Sequence, residues 1–342
     1  MDIHQSNKHR IGAFRSALYD CDPASLKDQL RDVFAPDCDI HLAFPFEDLS
    51  GPDALFEQVY QPLLAAVPDL ERRDLILVAG EADGENWVGC CGYYLGVFEQ
   101  PWLDIPPTQH MVAMRYHEFF RLEGDTVVEM QAIWDIPELM MQADAWPLAP
   151  SLGVEWVVPA PATQDGIKLG PYDQATSEAS LEHVQAMLAD MGKHPRQGGP
   201  DVMNLERYWH PKMNWYGPAG IGSMRQIAGF RNWHQIPFLK AMPNRGAKSY
   251  GEGTLTSAMF ADGNYVGVTG WPNMKMAISS DGWLGIAPAG QEITMRSLDF
   301  WRVENGLIRE NWVLVDLLSV YDQLGVDVFS RMREVTCARQ PR

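Results

Sequence analysis

"FRLEGDTVVEMQAIWD" runs from Phe120 to Asp135, and "WRVENGLIRENWVLVD" runs from Trp301 to Asp316. The second stretch repeats the first 181 positions later. Extended upstream to "MRYHEFF" and "MRSLDFW", the match holds seven identities in 22 positions, from Met114/Met295 and Arg115/Arg296 to Glu129/Glu310 and Asp135/Asp316. Gln142 and Gln323 fall at the same offset. Each copy reads as two strands around a tight turn. "LEGD" and "VENG" carry Gly and Asn, which tolerate the positive φ a short hairpin needs.

The front of each half matches too, at an offset of 175. "LRDVFAPDCDIHL" (Leu30–Leu42) pairs with "LERYWHPKMNWYG" (Leu205–Gly217), and "QPLLAAVPD" (Gln61–Asp69) with "IPFLKAMPN" (Ile236–Asn244). Three matches in one order predict a duplicated domain. Boundaries are expected at 1–145 and 174–342, with a Pro- and Gly-rich linker over 146–173. Apolar residues at helical spacing predict helices over Ser25–Phe34 and Pro52–Val67, the latter kinked or split by Pro62. A third helix is expected over Ser177–Gly192, capped by Ser177 and stopped by Gly192. Runs rich in β-branched and aromatic residues follow in each half and read as hairpin-linked strands. Helices first and strands later predict an α+β class, each half a curved mixed sheet wrapped against its N-terminal helices into a cone with one mouth.

The bulk numbers narrow the function. The net charge of −18 over 342 residues is the wrong sign for displacing counterions from nucleic acid or for an anionic membrane surface. Five cysteines with no CxxC spacing form neither a disulfide framework nor a thiolate zinc site. The N-terminus shows no secretory h-region, and no apolar run reaches the roughly 20 residues of a membrane span. A reduced cytoplasmic protein with a small-molecule partner is the expectation, and a homodimer is compatible with the methionines and Pro106–Pro107 of the first half.

Each half resembles the SnoaL-like polyketide cyclases, which share the fold of nuclear transport factor 2 and ketosteroid isomerase. The residues that carry the likeness are "APD", "SGPDAL", "VPD" and "FFRLEGDTVVE" in the first half. In the second they are "YGPAGIG", "AGFRNWHQIPFLKAMPN", "FWRVENGLIRENW" and "DLLSVYDQLG". The resemblance implies two tandem cone-shaped α+β barrels and acid–base chemistry on carbonyl compounds, with no metal and no cofactor. It implies an acid/base aspartate at the end of the last strand, here Asp135 and Asp316. It also implies a pocket histidine, for which His117 lies on the matching strand although its counterpart is Leu298.

The residues themselves set alternatives beside those roles. Asp316 sits in an apolar run, where burial would tune a general acid/base, yet it also stands where a helix N-cap belongs. Strand alternation puts Ser297, Asp299 and Trp301 on one face and Arg296, Leu298, Phe300 and Arg302 on the other, so Asp299 and Arg296 do not share the pocket. The first-half counterpart of Asp299 is Glu118. Arg302 and Arg121 read as outer-face salt bridges. His234 shares a helix face with Phe230 and Phe238, as a core residue or as a base. Trp215, Tyr216, Trp233, Trp283, Trp312 and Arg296 are the substrate-binding candidates, Tyr216 as a donor to an enolate. His110 and His117, seven apart on a strand, point to opposite faces and do not chelate together. "GPAGIG" (Gly217–Gly222) lacks the context of a phosphate loop and reads as a pocket-lining turn. The expected function is a lyase or isomerase of polyketide-cyclase type using Asp316, assisted by His234 and Asp299, in the second half. The alternatives are a dehydratase or hydrolase on the same fold, or a non-catalytic binding protein.

Overall fold

A computed structural model describes residues 2–243 and 255–339. Asn244, the last residue of the matched "IPFLKAMPN", lies outside the described residues. The chain forms two compact units. The first comprises Met1–Pro147, Ala162–Pro171 and Gly325–Arg342, and the second Leu148–Pro161 and Tyr172–Leu324. The segment between the repeats is therefore divided between the units, and the C-terminal segment belongs to the first.

In the first unit, helices α1 (Ile3–Ala17) and α2 (Pro23–Val33) open on Asp2 and Asp22, whose carboxylates accept from the backbone N–H of Gln5 and Ser25. Strands β1 (Phe34–Leu42) and β2 (Glu47–Ser50) come next. A broken helix follows as α3 (Gly51–Leu55), a π turn (Phe56–Tyr60) and α4 (Gln61–Ala66). Pro62 has no N–H for the i−4 carbonyl, and the wider π turn just before it absorbs the break. Then come β3 (Glu71–Ala82), β4 (Glu85–Val97), β5 (Met111–Glu123), β6 (Thr126–Trp134) and α5 (Ile136–Gln142). The sheet order is β2-β1-β6-β5-β4-β3, with β1 and β6 parallel and the other pairs antiparallel. It is a curved open sheet, not a closed barrel.

The second unit repeats this plan. After α6 (Gln174–Met191) and α7 (Leu205–Tyr208) come β7 (Trp209–Tyr216), β8 (Ser223–Arg225), α8 (Gln226–Phe230), a π turn (Arg231–Gln235) and α9 (Ile236–Ala241). Strands β9 (Ala258–Asp262), β10 (Tyr265–Thr269), β11 (Met274–Ala277), β12 (Glu292–Met295), β13 (Ser297–Glu304) and β14 (Leu307–Val315) lead to α10 (Leu317–Gln323). The order β8-β7-β14-β13-β10-β9 again has one parallel pair, β7 with β14. The three helical segments around the π turn match those of the first unit residue for residue at the offset of 175, and β14 and α10 match β6 and α5 at 181. The long β5 has two counterparts, β12 and β13, broken at Arg296, with β12 pairing β11 in a separate two-stranded sheet. A last helix, α11 (Val328–Arg339), packs in the first unit, where the Arg333 guanidinium reaches Asp104 at 2.9 Å.

Two sequence expectations shift. Helix α6 starts earlier than Ser177, because the Asp173 carboxylate takes the Thr176 N–H at 3.1 Å. Ser177 is buried instead, and its hydroxyl accepts the Gly263 N–H at 2.8 Å. Helix α1 was not anticipated: its stripe of Ile11 and Phe14 is thin, and the rest of the helix is mostly polar. Among the described residues no helix is long and apolar enough to cross a membrane.

The strand registers expose one more internal match, "NWVGCCG" (86–92) with "NYVGVTG" (264–270). Its final glycines are sterically required. A Cβ on Gly92 would collide with the Arg73 carbonyl and the Tyr116 phenol, and one on Gly270 with the Thr256 carbonyl. Gly92→Ala is expected to cost about 1–3 kcal/mol, read as a lower urea midpoint with an unchanged slope.

Candidate active site

The second unit holds a cavity of about 120 Å³. Its floor is the inward face of β13 and β14, where alternation presents Ser297, Asp299 and Trp301 beside Asn311, Val313 and Val315. The π turn supplies His234 and Gln235, and α6 supplies Met187, Leu188 and Met191. His234 is held by rings: it stacks on Trp215 at 4.2 Å and 18°, with Phe230 at 5.5 Å and Phe238 at 5.7 Å. Asp299 is half-buried and accepts the Ser297 hydroxyl at 2.7 Å. Asn311 is buried and donates to the Phe300 carbonyl at 2.9 Å. Gln235 Oε1, Trp209 Nε1 and Trp301 Nε1 are buried without a protein hydrogen-bond partner, a state that costs about 1–3 kcal/mol for each polar group. Among the described residues no group of three or more His, Cys, Asp or Glu is placed to hold a metal.

The cavity brings together His234, Asp299, Trp215 and Trp283 from the sequence-derived set. The others lie elsewhere. Asp316 is buried at the start of α10, where it caps the Ser319 N–H at 3.1 Å and pairs with Arg296 at 3.1 Å. Arg296 also lies 4.5 Å over the Trp271 ring. Tyr216 and Trp312 face the opposite side of the sheet, where the Tyr216 hydroxyl donates to Glu310 at 3.1 Å and the Trp312 indole to the Pro159 carbonyl at 3.2 Å. Burial pushes the Tyr216 phenol far up, with the Glu310 carboxylate adding to it. Trp233 is 54% exposed. Gln235, Asn311 and Met187 were not anticipated. The signal for Asn311 was available, as a polar residue in phase with Asp299 in an apolar strand.

The same positions in the first unit are filled. Tyr116 and Trp134 face each other across β5 and β6 where the second unit has Ser297 and Val315. Glu118, in the place of Asp299, is wholly buried and takes the Arg72 guanidinium at 2.6 Å, the Trp134 indole at 2.9 Å and the Tyr94 hydroxyl at 3.0 Å. Arg72 also pairs with Asp74 at 3.2 Å, and Arg15 holds the other Asp74 oxygen at 2.8 Å. Burial alone would raise the Asp74 carboxyl, but the two guanidinium groups outweigh it and hold it below its ordinary range. His117 is buried on the opposite face from Glu118, and Asp135 lies 3.6 Å from Arg115.

Arg72→Met should leave Glu118 buried without its cation and Asp74 with Arg15 alone, a loss of about 3–5 kcal/mol. Because the two guanidinium groups hold the Asp74 carboxyl below its ordinary range, the stability they confer is full above about pH 4 and is lost as the pH falls further, so the deficit should shrink between about pH 5 and about pH 3. Thermal melts across that range test both the size and the sign.

The model of the SnoaL-like polyketide cyclase family matches residues 13–143 and 277–324, just over half of the chain. No curated protein matches it. Solved structures similar to this chain include a protein of Jannaschia sp. CCS1 assigned as a SnoaL-like polyketide cyclase, at 19% identity and a TM-score of 0.35, covering 41% of this chain and 93% of that one. IdmH of Streptomyces antibioticus, assigned as a polyketide cyclase, is 21% identical with a TM-score of 0.35 over 40% of this chain and 98% of its own. AclR of Streptomyces galilaeus, assigned as a hydroxylase, is 18% identical with a TM-score of 0.35 over 42% and 84%. With the family model matching residues 13–143 and 277–324, on two sheets of the same strand order, the chain belongs to the SnoaL-like polyketide cyclase family.

Proposed function

We propose that the second unit is a cofactor-free acid–base catalyst that removes a proton next to the carbonyl of a small substrate, as aldol-type cyclisation or isomerisation requires. The observation that carries this reading is the joint presence of His234 and Asp299 in one largely apolar cavity. Imidazole is the side chain suited to moving protons near neutral pH. His234 takes the proton, and Asp299 supplies the negative charge against which the imidazolium forms. Tyr216 is engaged on the other face by Glu310, so the donors for the enolate oxygen are assigned to the unpartnered indole N–H groups of the cavity wall. The filled first unit serves as scaffold. Asp316 positions α10 through its cap and its arginine. The partner is a small molecule, neither nucleic acid nor membrane, in keeping with the charge of −18.

The test is α-proton exchange of aryl ketones in D2O, followed by 1H NMR. His234→Ala and Asp299→Asn should each lower the rate by about 100-fold or more. Asp316→Asn should stay within about tenfold while lowering the melting temperature. A silent His234→Ala beside an inactive Asp316→Asn would return the acid/base role to Asp316. No exchange above background by the wild type, together with ligand binding, would favour a binding protein.

A further inference from the structure

Three polar atoms of the cavity wall are left over by the fold. Trp209 Nε1, Trp301 Nε1 and Gln235 Oε1 are buried with no hydrogen-bond partner among the described residues, and all three side chains line the cavity. The first unit shows what the fold itself asks for at these places. At the offsets of 175 and 181, Trp209 and Trp301 stand where it has Phe34 and Phe120. Those two rings meet at 6.1 Å and both pack on Phe14, at 5.7 and 6.0 Å. Gln235 stands where the first unit has Tyr60, whose hydroxyl meets that of Tyr94 at 3.0 Å. The first unit thus uses two rings without an N–H and one polar group whose partner is inside. The second unit puts two donors and one acceptor in the same places and leaves them unused. The direction of the Gln235 amide is fixed by its other end. From the π turn, where it is 2% exposed, its Nε2 donates to the Met203 thioether at 3.5 Å. A thioether accepts and does not donate, so the amide nitrogen belongs on that side and Oε1 is the atom left for a ligand.

We infer that Gln235 is a specificity-determining residue: it accepts a hydrogen bond from a hydroxyl group on a ring-bearing substrate, whose oxygen atoms in turn take the Trp209 and Trp301 N–H groups. A hydroxyl suits this wall because it donates and accepts at once. The ring suits Trp215, Trp283, Phe230 and Phe238, which line the same cavity. A substrate analogue without the hydroxyl would leave the Gln235 oxygen buried and unpaired in the complex, and would lose affinity for that reason. Sites built to bond a hydroxyl discriminate against the analogue lacking it far more sharply than an apolar pocket discriminates by one methylene. The inference rests on the proposed function for the site and for the carbonyl of the substrate, and it adds the second polar group that the substrate carries.

The probes are acetophenone, 3- and 4-hydroxyacetophenone, and the methyl ethers of the two phenols. Binding to the full chain is read by isothermal titration calorimetry at about pH 6, where a phenol is neutral. One of the hydroxy compounds should bind at least about tenfold more tightly than acetophenone and than its own methyl ether. Gln235→Met keeps the length of the side chain and removes the acceptor. It should bring the hydroxy compound to within about twofold of acetophenone, while the melting temperature without ligand is no lower than that of the wild type, since an unused buried acceptor has gone. Trp301→Phe, the residue of the first unit, should weaken the hydroxy compound by about threefold or more. Equal affinity for all five probes would overturn the inference, as would no binding by any of them. So would a preference unchanged in Gln235→Met, or one lost together with a lower ligand-free melting temperature, which would make the amide structural. Proton exchange of acetophenone is read separately on the same preparations. If exchange depends on His234 and the hydroxyl confers nothing, only this inference falls. If the hydroxyl preference depends on Gln235 and no exchange is seen, the proposed chemistry falls and this inference stands.

Discussion

Across β5 and β6, Tyr116 and Trp134 stand at paired positions on the inward face, and both rings pack on Tyr94, at 4.8 and 5.0 Å between centroids. Neighbouring strands hold their partners only about 5 Å apart, so large rings at paired positions crowd into one layer around Tyr94. They fill the space over the sheet, and every polar atom near them must find a partner inside. Arg72, Glu118, Asp74 and Tyr94 provide those partners. At Ser297 and Val315 the same pair of positions carries far less volume on an unchanged strand frame. The space becomes a cavity, and the residues around it can turn to a ligand.

What the two units share is a different set of residues. Arg115 with Asp135 ties β5 to the start of α5, and Arg296 with Asp316 ties the break between β12 and β13 to the start of α10; in each case the aspartate N–H also donates to the arginine carbonyl. Gln142 and Gln323 complete that corner. Each amide exchanges hydrogen bonds with the backbone of Ala113 or Thr294, as a neighbouring strand would. Arg121 with Glu129, and Arg302 with Glu310, clamp the far end of the hairpin. Nearly all the charged identities between the halves belong to these ties. Duplication has preserved the frame and let the interior diverge.

This division explains what could be read from the residues alone. Frame contacts are local and recur, so the hairpin, the helix after it and the repeat itself were visible in "EGDTVVE" and "ENGLIRE". Alternation along β13 correctly separated Asp299 from Arg296, because strand period is a property of the backbone. The recurrence that revealed the frame also drew attention to Asp316, whose partner Arg296 lies 20 residues away at the break between β12 and β13 and was not identified as such. Whether Asp299 or Glu118 stands in open space depends on Trp134, Arg72 and Val315, each remote in sequence, and no periodicity encodes a volume. The match between residues 86–92 and 264–270 escaped for a simpler reason: it falls at an offset of 178, neither 175 nor 181.

The division of the chain between the units has a consequence for how the molecule is made. The first unit draws on residues after 324, where Phe329 lies 6.2 Å from Phe44. During synthesis its sheet emerges from the ribosome first, but the unit is complete only after the whole second unit has been translated. The closing contacts span almost the full chain, and such long closures come late in folding. Until then the nascent first sheet waits without its final helix. The two units are equally inseparable by a single cut: wherever the chain is severed between the repeats, α11 leaves with the wrong fragment.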